Sequence, residues 1–157
     1  MRKIGLGIVG CGFICGIYLQ NLHSLFDSLE LLGVCNAAPE KAEAVAKAYP
    51  VQCFPDLPAL LRDERIELIL NLTRPAEHFS VSLAALQSGK HVYSEKPLAA
   101  SVPEGRRLMA EAEKRALLIG RGLPSLRARL KAVHGPVRGF RSVWTPTSAA
   151  LCAFAPV

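Results

Sequence analysis

Apolar residues along the chain come as short dense runs that alternate with stretches of helical spacing. Ile4–Val9 (IGLGIV) is a β-rich run that stops at Gly10-Cys11-Gly12. Ile14, Ile17, Tyr18, Asn21, Leu22 and Leu25 then recur at the intervals of an amphipathic helix. Leu29–Cys35 (LELLGVC) is a second buried run ending at Asn36, and Pro39 opens an alanine-rich helix to about Ala48, proline being tolerated in a first turn. VQCF (51–54) predicts a short third strand, and Asp56 a cap for a helix over Leu57–Leu61. ELILNL (67–72) carries no polar alternation, as a strand covered on both faces requires. A helix over PAEHFSVSLAALQSG follows, closed by Gly89, and HVYSE (91–95) is strand five. Ser101 and Glu104 have the spacing of a capping box for a helix to about Ala116, and LLIG (117–120) is a sixth strand.

Strands alternating with helices at this spacing predict an α/β fold, a doubly wound parallel sheet. The opening MRKIGLGIVGCGF also has the look of a secretion signal, with a lipoprotein-like cut before Cys11. Such a cut would remove the first strand of a repeating βα series, so a strand, a glycine turn and a helix start are expected instead. At 157 residues the chain can bury a core, and no other apolar stretch approaches the roughly 20 residues of a spanning helix. A cytoplasmic location without a membrane partner is expected.

The net charge of +6 is unevenly spread. Residues 1–113 hold 11 Lys/Arg and all 13 Asp/Glu, a balance of −2, and residues 114–157 hold 8 Lys/Arg and no acid. Basicity belongs to the tail, so a nucleic-acid partner is not expected of the body. Five cysteines (11, 15, 35, 53 and 152) form no Cys-x-x-Cys pair, which predicts no metal site and reduced, mostly buried thiols. Cys11 sits in the glycine turn, and nothing nearby is expected to activate it as a nucleophile. His23 and His91 read as structural.

A glycine turn between a strand and a helix suits a dinucleotide. The first glycine makes the tight turn, the second admits the pyrophosphate, and the helix N-terminus offers free N–H groups to its charge. Gly10 and Gly12 fit these two roles, Phe13 and Ile14 begin the helix, and Cys15, beside Gly16, takes the place of the third glycine. About 20 residues on, where an acid usually binds the ribose of NAD, stands Asn36. An amide does not repel a 2′-phosphate and Lys41 can neutralise one, which leaves NAD and NADP both open.

GIVGCGFI, NLTRPAEHFSVSLAALQSGKHVYSEKPLA and EAEKRALLIG together resemble the glucose–fructose oxidoreductase / inositol dehydrogenase / MocA family over residues 1 to about 120. Glu95-Lys96-Pro97 matches its Glu-Lys-Pro and Pro75 with His78 its Pro-x-x-His. The resemblance implies an NAD(P)-dependent oxidoreductase with a Rossmann domain over 1–120, acting on a sugar, inositol or related polyol. It places Gly10, Gly12, Phe13, Ile14, Asn36, Lys41, Asn71, Thr73, Pro75, His78, Glu95 and Lys96 around the cofactor. Lys96 would be the catalytic residue, hydrogen-bonded to the reacting oxygen; an ammonium there stabilises alkoxide-like charge as hydride moves. Read without the family, Glu95-Lys96 fits a surface ion pair, and His78 a contact at a helix start.

Members of that family continue into a second α+β domain that completes the substrate pocket and often the dimer interface. Residues 121–157 are expected to be a short remnant of its start, truncated or replaced after a frameshift, since the acids end at Glu113. Catalytic competence of the chain is thereby in question. A non-catalytic dinucleotide-binding module or pseudoenzyme fragment is the alternative, and a homo-oligomer a candidate assembly.

Overall fold

A computed structural model describes residues 2–25 and 27–121. Its elements run β1 (Ile4–Val9), α1 (Phe13–Leu25), β2 (Leu29–Cys35), α2 (Pro39–Ala48), β3 (Gln52–Cys53), α3 (Leu57–Arg62), β4 (Leu68–Asn71), a 3₁₀ turn (Pro75–Glu77), α4 (His78–Gln87), β5 (His91–Ser94), α5 (Val102–Lys114) and β6 (Ile119–Arg121). The expected fate of residues 121–157 and the placing of Cys152 lie outside the described residues except for Arg121, which closes β6.

All six strands are parallel, in the order β3-β2-β1-β4-β5-β6. The chain builds outward from β1 in one direction, then returns to add β4 on its other side. Between β1 and β4 the connections diverge, and a crevice opens at the strands' carboxyl ends, where such sheets bind ligands. Register aligns Cys35, Val9, Asn71, Ser94 and Arg121 as one row across that end.

Sequence signals and structure agree where a side chain makes its own local bond. Asp56 accepts from the Ala59 N–H at 2.7 Å and caps α3. Gly89, at φ +78°, follows the last turn of α4. Ser101 caps α5, accepting from Glu104 N–H at 3.4 Å. The return half of that box is displaced: the Glu104 carboxylate accepts from Ala100 N–H at 3.0 Å, one residue earlier than the usual partner.

Other elements come out shorter than the apolar runs that announce them. β3 keeps two residues, β4 loses Glu67 and Leu72, β5 ends before Glu95, and the first turn expected of α4 is 3₁₀.

The core lies on both faces of the sheet. Ile69, Val92 and Ile119 share one row and pack with Ala85, Leu86, Leu108 and Ala112 from α4 and α5. α1 departs from its expected inner face: Cys15, Tyr18 and Leu19 are buried, whereas Ile17 is 45% and Phe13 95% exposed. Gln20 and Ser24 are exposed on the same side of the helix as Phe13 and Ile17, opposite Cys15 and Tyr18. Among the described residues no helix is long and apolar enough to cross a membrane.

Candidate functional site

The crevice is built from three loops at the sheet's carboxyl edge. The first is the glycine turn. Gly10 has φ +101°, and a Cβ there would lie 2.6 Å from the Leu72 carbonyl carbon and oxygen. Only glycine fits, because the turn after β1 packs directly on the chain leaving β4. Gly12 is the opposite case: a Cβ there would meet nothing within 4 Å. The space over Gly12 is open, and the N–H groups of Phe13 and Ile14 at the helix start lack intrahelical acceptors. An anion approaching this turn meets backbone donors and the positive end of α1, as a pyrophosphate requires.

Asn36 stands where the ribose-binding acid was expected, and the structure gives it a different first task. Its Oδ1 accepts from Cys11 N–H at 2.9 Å and its Nδ2 donates to Ala38 O at 3.0 Å. The amide therefore ties the end of β2 to the glycine turn, keeping one N–H for a ligand. Lys41 is exposed in the first turn of α2 and lines, with Cys11, Gly12, Phe13, Ala44, Val45, Ala48 and Tyr49, a cavity of about 400 Å³. No carboxylate lines it.

The second loop follows β4, and two residues expected at the cofactor turn out to brace it. Asn71 is fully buried. Its Nδ2 donates to His78 O and Ser82 Oγ, both at 3.0 Å, and its Oδ1 accepts from Thr73 N–H at 3.2 Å and Thr73 Oγ1 at 2.6 Å. Every hydrogen-bonding position of the amide is filled, so Asn71 shapes the loop from within. His78 is 1% exposed, with Nε2 2.9 Å from Thr73 O and Nδ1 2.5 Å from Pro97 O. Its ring bridges the loop after β4 to the one after β5, leaving neither nitrogen free for a ligand. Sequence spacing shows that these side chains are near the crevice but not whether they face it. Thr73 is half-buried and Pro75 exposed at the 3₁₀ turn.

The third loop carries Glu95-Lys96-Pro97, with a cis Lys96–Pro97 bond. Glu95 N–H donates to Asn71 O at 2.9 Å. The Glu95 carboxylate accepts from the Tyr18 hydroxyl and, at 3.1 Å, from Lys96 N–H. It makes no ion pair with the Lys96 ammonium, which is exposed and has no partner among the described residues. The surface-ion-pair reading of Glu95-Lys96 is thus replaced by a carboxylate turned inward and an amine left free. Tyr18, with no role assigned from sequence, is the residue missed: 3% exposed, its phenol pushed up in pKa by burial and by Glu95, it stays protonated as a donor.

His91 is structural as expected, its Nδ1 accepting from Leu118 N–H at 3.0 Å; burial holds its pKa down. His23 is exposed at the end of α1.

A parallel sheet of order 3-2-1-4-5-6, with a glycine turn at the first helix and a crevice beside it, defines a Rossmann-type dinucleotide-binding domain. The profile of the GFO/IDH/MocA oxidoreductase family, NAD-binding Rossmann fold, matches residues 4–122, and the chain belongs to that family. It is 31% identical over 111 residues to an inositol 2-dehydrogenase of Salmonella paratyphi B, covering 69% of this chain and 33% of that protein. It is 27% identical over 117 residues to the scyllo-inositol 2-dehydrogenase (NADP(+)) IolW of Bacillus subtilis, covering 74% and 32%. The WlbA dehydrogenase of Chromobacterium violaceum, solved with NADH and UDP-GlcNAcA, superposes with TM-score 0.76 at 25% identity, covering 81% of this chain and 37% of that one. The chain thus spans about a third of the length of the curated relatives it matches.

Proposed function

We propose that this chain is the cofactor-binding part of an NAD(P)-dependent dehydrogenase acting on a CH–OH group of a sugar, inositol or related polyol in the cytoplasm. The observation that carries the reading is the exposed Lys96 ammonium, unpaired among the described residues, on a loop whose other charge, Glu95, is bonded inward to Tyr18. A nicotinamide held in the crevice would supply or accept the hydride. Gly12, Phe13 and Ile14 would hold its phosphates through backbone N–H groups, and Asn36 and Lys41 would flank the adenosine side. Lys96 would donate a hydrogen bond to the substrate oxygen, stabilising negative charge there as the oxygen changes between hydroxyl and carbonyl.

The test is a thermal melt of purified protein with NADH and, separately, NADPH, followed by turnover on a polyol panel. A ligand at 100 times its Kd adds about 2.7 kcal/mol to a folded binder. A rise with either cofactor is expected. A cooperative melt that neither moves would sink the dinucleotide reading.

A second reading, a dinucleotide-binding module without turnover, fits the same open turn over Gly12 and the same backbone donors. Cofactor binding with no turnover on any polyol would select it.

A further inference from the structure

Kinship does not decide which nicotinamide cofactor the crevice takes, since the matched relatives include one named for NADP(+) and one solved with NADH. The two cofactors differ by a phosphate on the adenosine ribose, and a phosphate monoester carries about −1.5 to −2 charge at pH 7. A carboxylate at the end of the second strand selects NAD in two ways. It accepts from the ribose 2′-hydroxyl, and its charge repels a 2′-phosphate.

Three features at the end of β2 point the other way. Asn36 is uncharged, and its hydrogen bonds are unevenly used. Oδ1 accepts from Cys11 N–H at 2.9 Å, while Nδ2 commits one of its two N–H groups to Ala38 O at 3.0 Å. The acceptor side of the amide is engaged, and the second N–H has no partner among the described residues. Lys41 lines the cavity of about 400 Å³ together with Gly12 and with Cys11, whose N–H the Asn36 amide holds. The lysine is exposed and makes no ion pair among the described residues. No acid offsets it within the cavity. Glu40 and Glu43 of α2 are exposed but do not line it, and Asp56 is engaged with Ala59 N–H as the cap of α3.

We infer that Asn36 and Lys41 form a 2′-phosphate subsite that makes the protein selective for NADPH over NADH. The selectivity rests on the dinucleotide reading and adds to it a choice of cofactor.

A phosphate oxygen would accept the spare Asn36 N–H, and the Lys41 ammonium would meet its charge. Backbone partners hold the amide on both sides, so little further ordering is needed for that N–H to bind. NADH finds at the same side chain only the second lone pair of an oxygen already bonded to Cys11. Hydrogen bonds to an ionised group are roughly twice as strong as neutral ones, so the balance falls to the phosphorylated cofactor.

Calorimetric titration of the full chain with NADPH and, separately, NADH tests this. NADPH is expected to bind at least about tenfold tighter, the scale of one hydrogen bond to a charged group. Asn36→Asp keeps an acceptor for Cys11 N–H and replaces the spare donor with a charge. It is expected to reverse the preference, with NADPH affinity falling about ten- to hundredfold. That variant also loses the bond to Ala38 O, so Lys41→Gln, on an exposed side chain, is the second one. It is expected to lower NADPH affinity about tenfold more than NADH affinity. Equal affinities for the two cofactors, or tighter NADH, overturn the selectivity and leave the dinucleotide reading standing. Variants that lower both affinities alike overturn the assignment to Asn36 and Lys41. Binding of neither cofactor by the parent protein overturns the selectivity and the dinucleotide reading together.

Discussion

The Tyr18 hydroxyl donates to the Glu95 carboxylate, joining the helix that follows the glycine turn to the loop that carries Lys96. Two ends of the crevice, far apart in sequence, are thereby held as one piece. Tyr18→Phe removes the donor and leaves a half-buried carboxylate short of a partner. A loss of about 1.5–3 kcal/mol is expected, the usual worth of a hydrogen bond to a charged group. Urea unfolding measures it, and a loss within about 0.5 kcal/mol, the level of a neutral surface change, would show the bond to be incidental.

Gly10 and Gly12 should respond in opposite ways to the same methyl group. Gly10→Ala puts a Cβ 2.6 Å from Leu72 in a backbone conformation of φ +101°, so the fold itself suffers. The left-handed conformation alone costs an L-residue about 1–2 kcal/mol, before the clash. Gly12→Ala meets no protein atom within 4 Å and should leave stability within about 0.5 kcal/mol. Its methyl would occupy the space a phosphate needs, and NAD(P)H binding should fall at least about tenfold. Calorimetry on the pair separates the two effects, and a Gly12→Ala protein that binds normally would move the phosphates elsewhere.

Lys96→Ala removes an exposed amine with no partner among the described residues, so stability should stay within about 0.5 kcal/mol of the parent. If Lys96 works on the reacting oxygen, turnover should drop about a hundredfold or more while cofactor affinity changes little. Equal losses in both would make it a binding residue only.

Stability should decline on both sides of neutrality, for different groups. Burial lowers the His91 pKa below the 6.5 of an unfolded chain. The stability this gives is present above pH 6.5 and is lost as pH falls below it, where the unfolded chain takes up the proton first. His91→Asn, whose Oδ1 can still accept from Leu118, should flatten that slope. On the alkaline side burial pushes the Cys35 thiol from 9.0 up to about 12, and Tyr18 is raised from 10.0. Both support the fold below their unfolded values, and stability should fall as pH rises past about 9. Urea midpoints across pH check both limbs; a flat profile in either direction would show that the group's environment is not that of the fold.

The order of elements was legible because each strand and helix carries its own signal. Asp56, Gly89 and Ser101 mark ends through bonds made within three residues, which sequence spacing reports directly. The candidate site was legible as a neighbourhood and not as a set of directions. Asn71 and His78 lie at the right edge of the sheet, yet which way a side chain turns depends on partners such as Ser82 and Pro97 that only the fold brings near. Tyr18 escaped for the same reason, since its partner Glu95 sits on another strand's loop. The buried side of α1 was hidden differently: Phe13 and Ile17 put apolar side chains on the exposed face, beside Gln20 and Ser24.

The fit between Gly10 and Leu72 also bears on the order in which the molecule can be built. As the chain leaves the ribosome, β1, α1 and β2 can pair first, but the surface on which the glycine turn rests does not exist until β4 has been made and laid against β1. A nascent chain therefore carries the turn's sequence long before it carries its shape. Any phosphate-binding capacity should appear late and in one step, with the docking of β4.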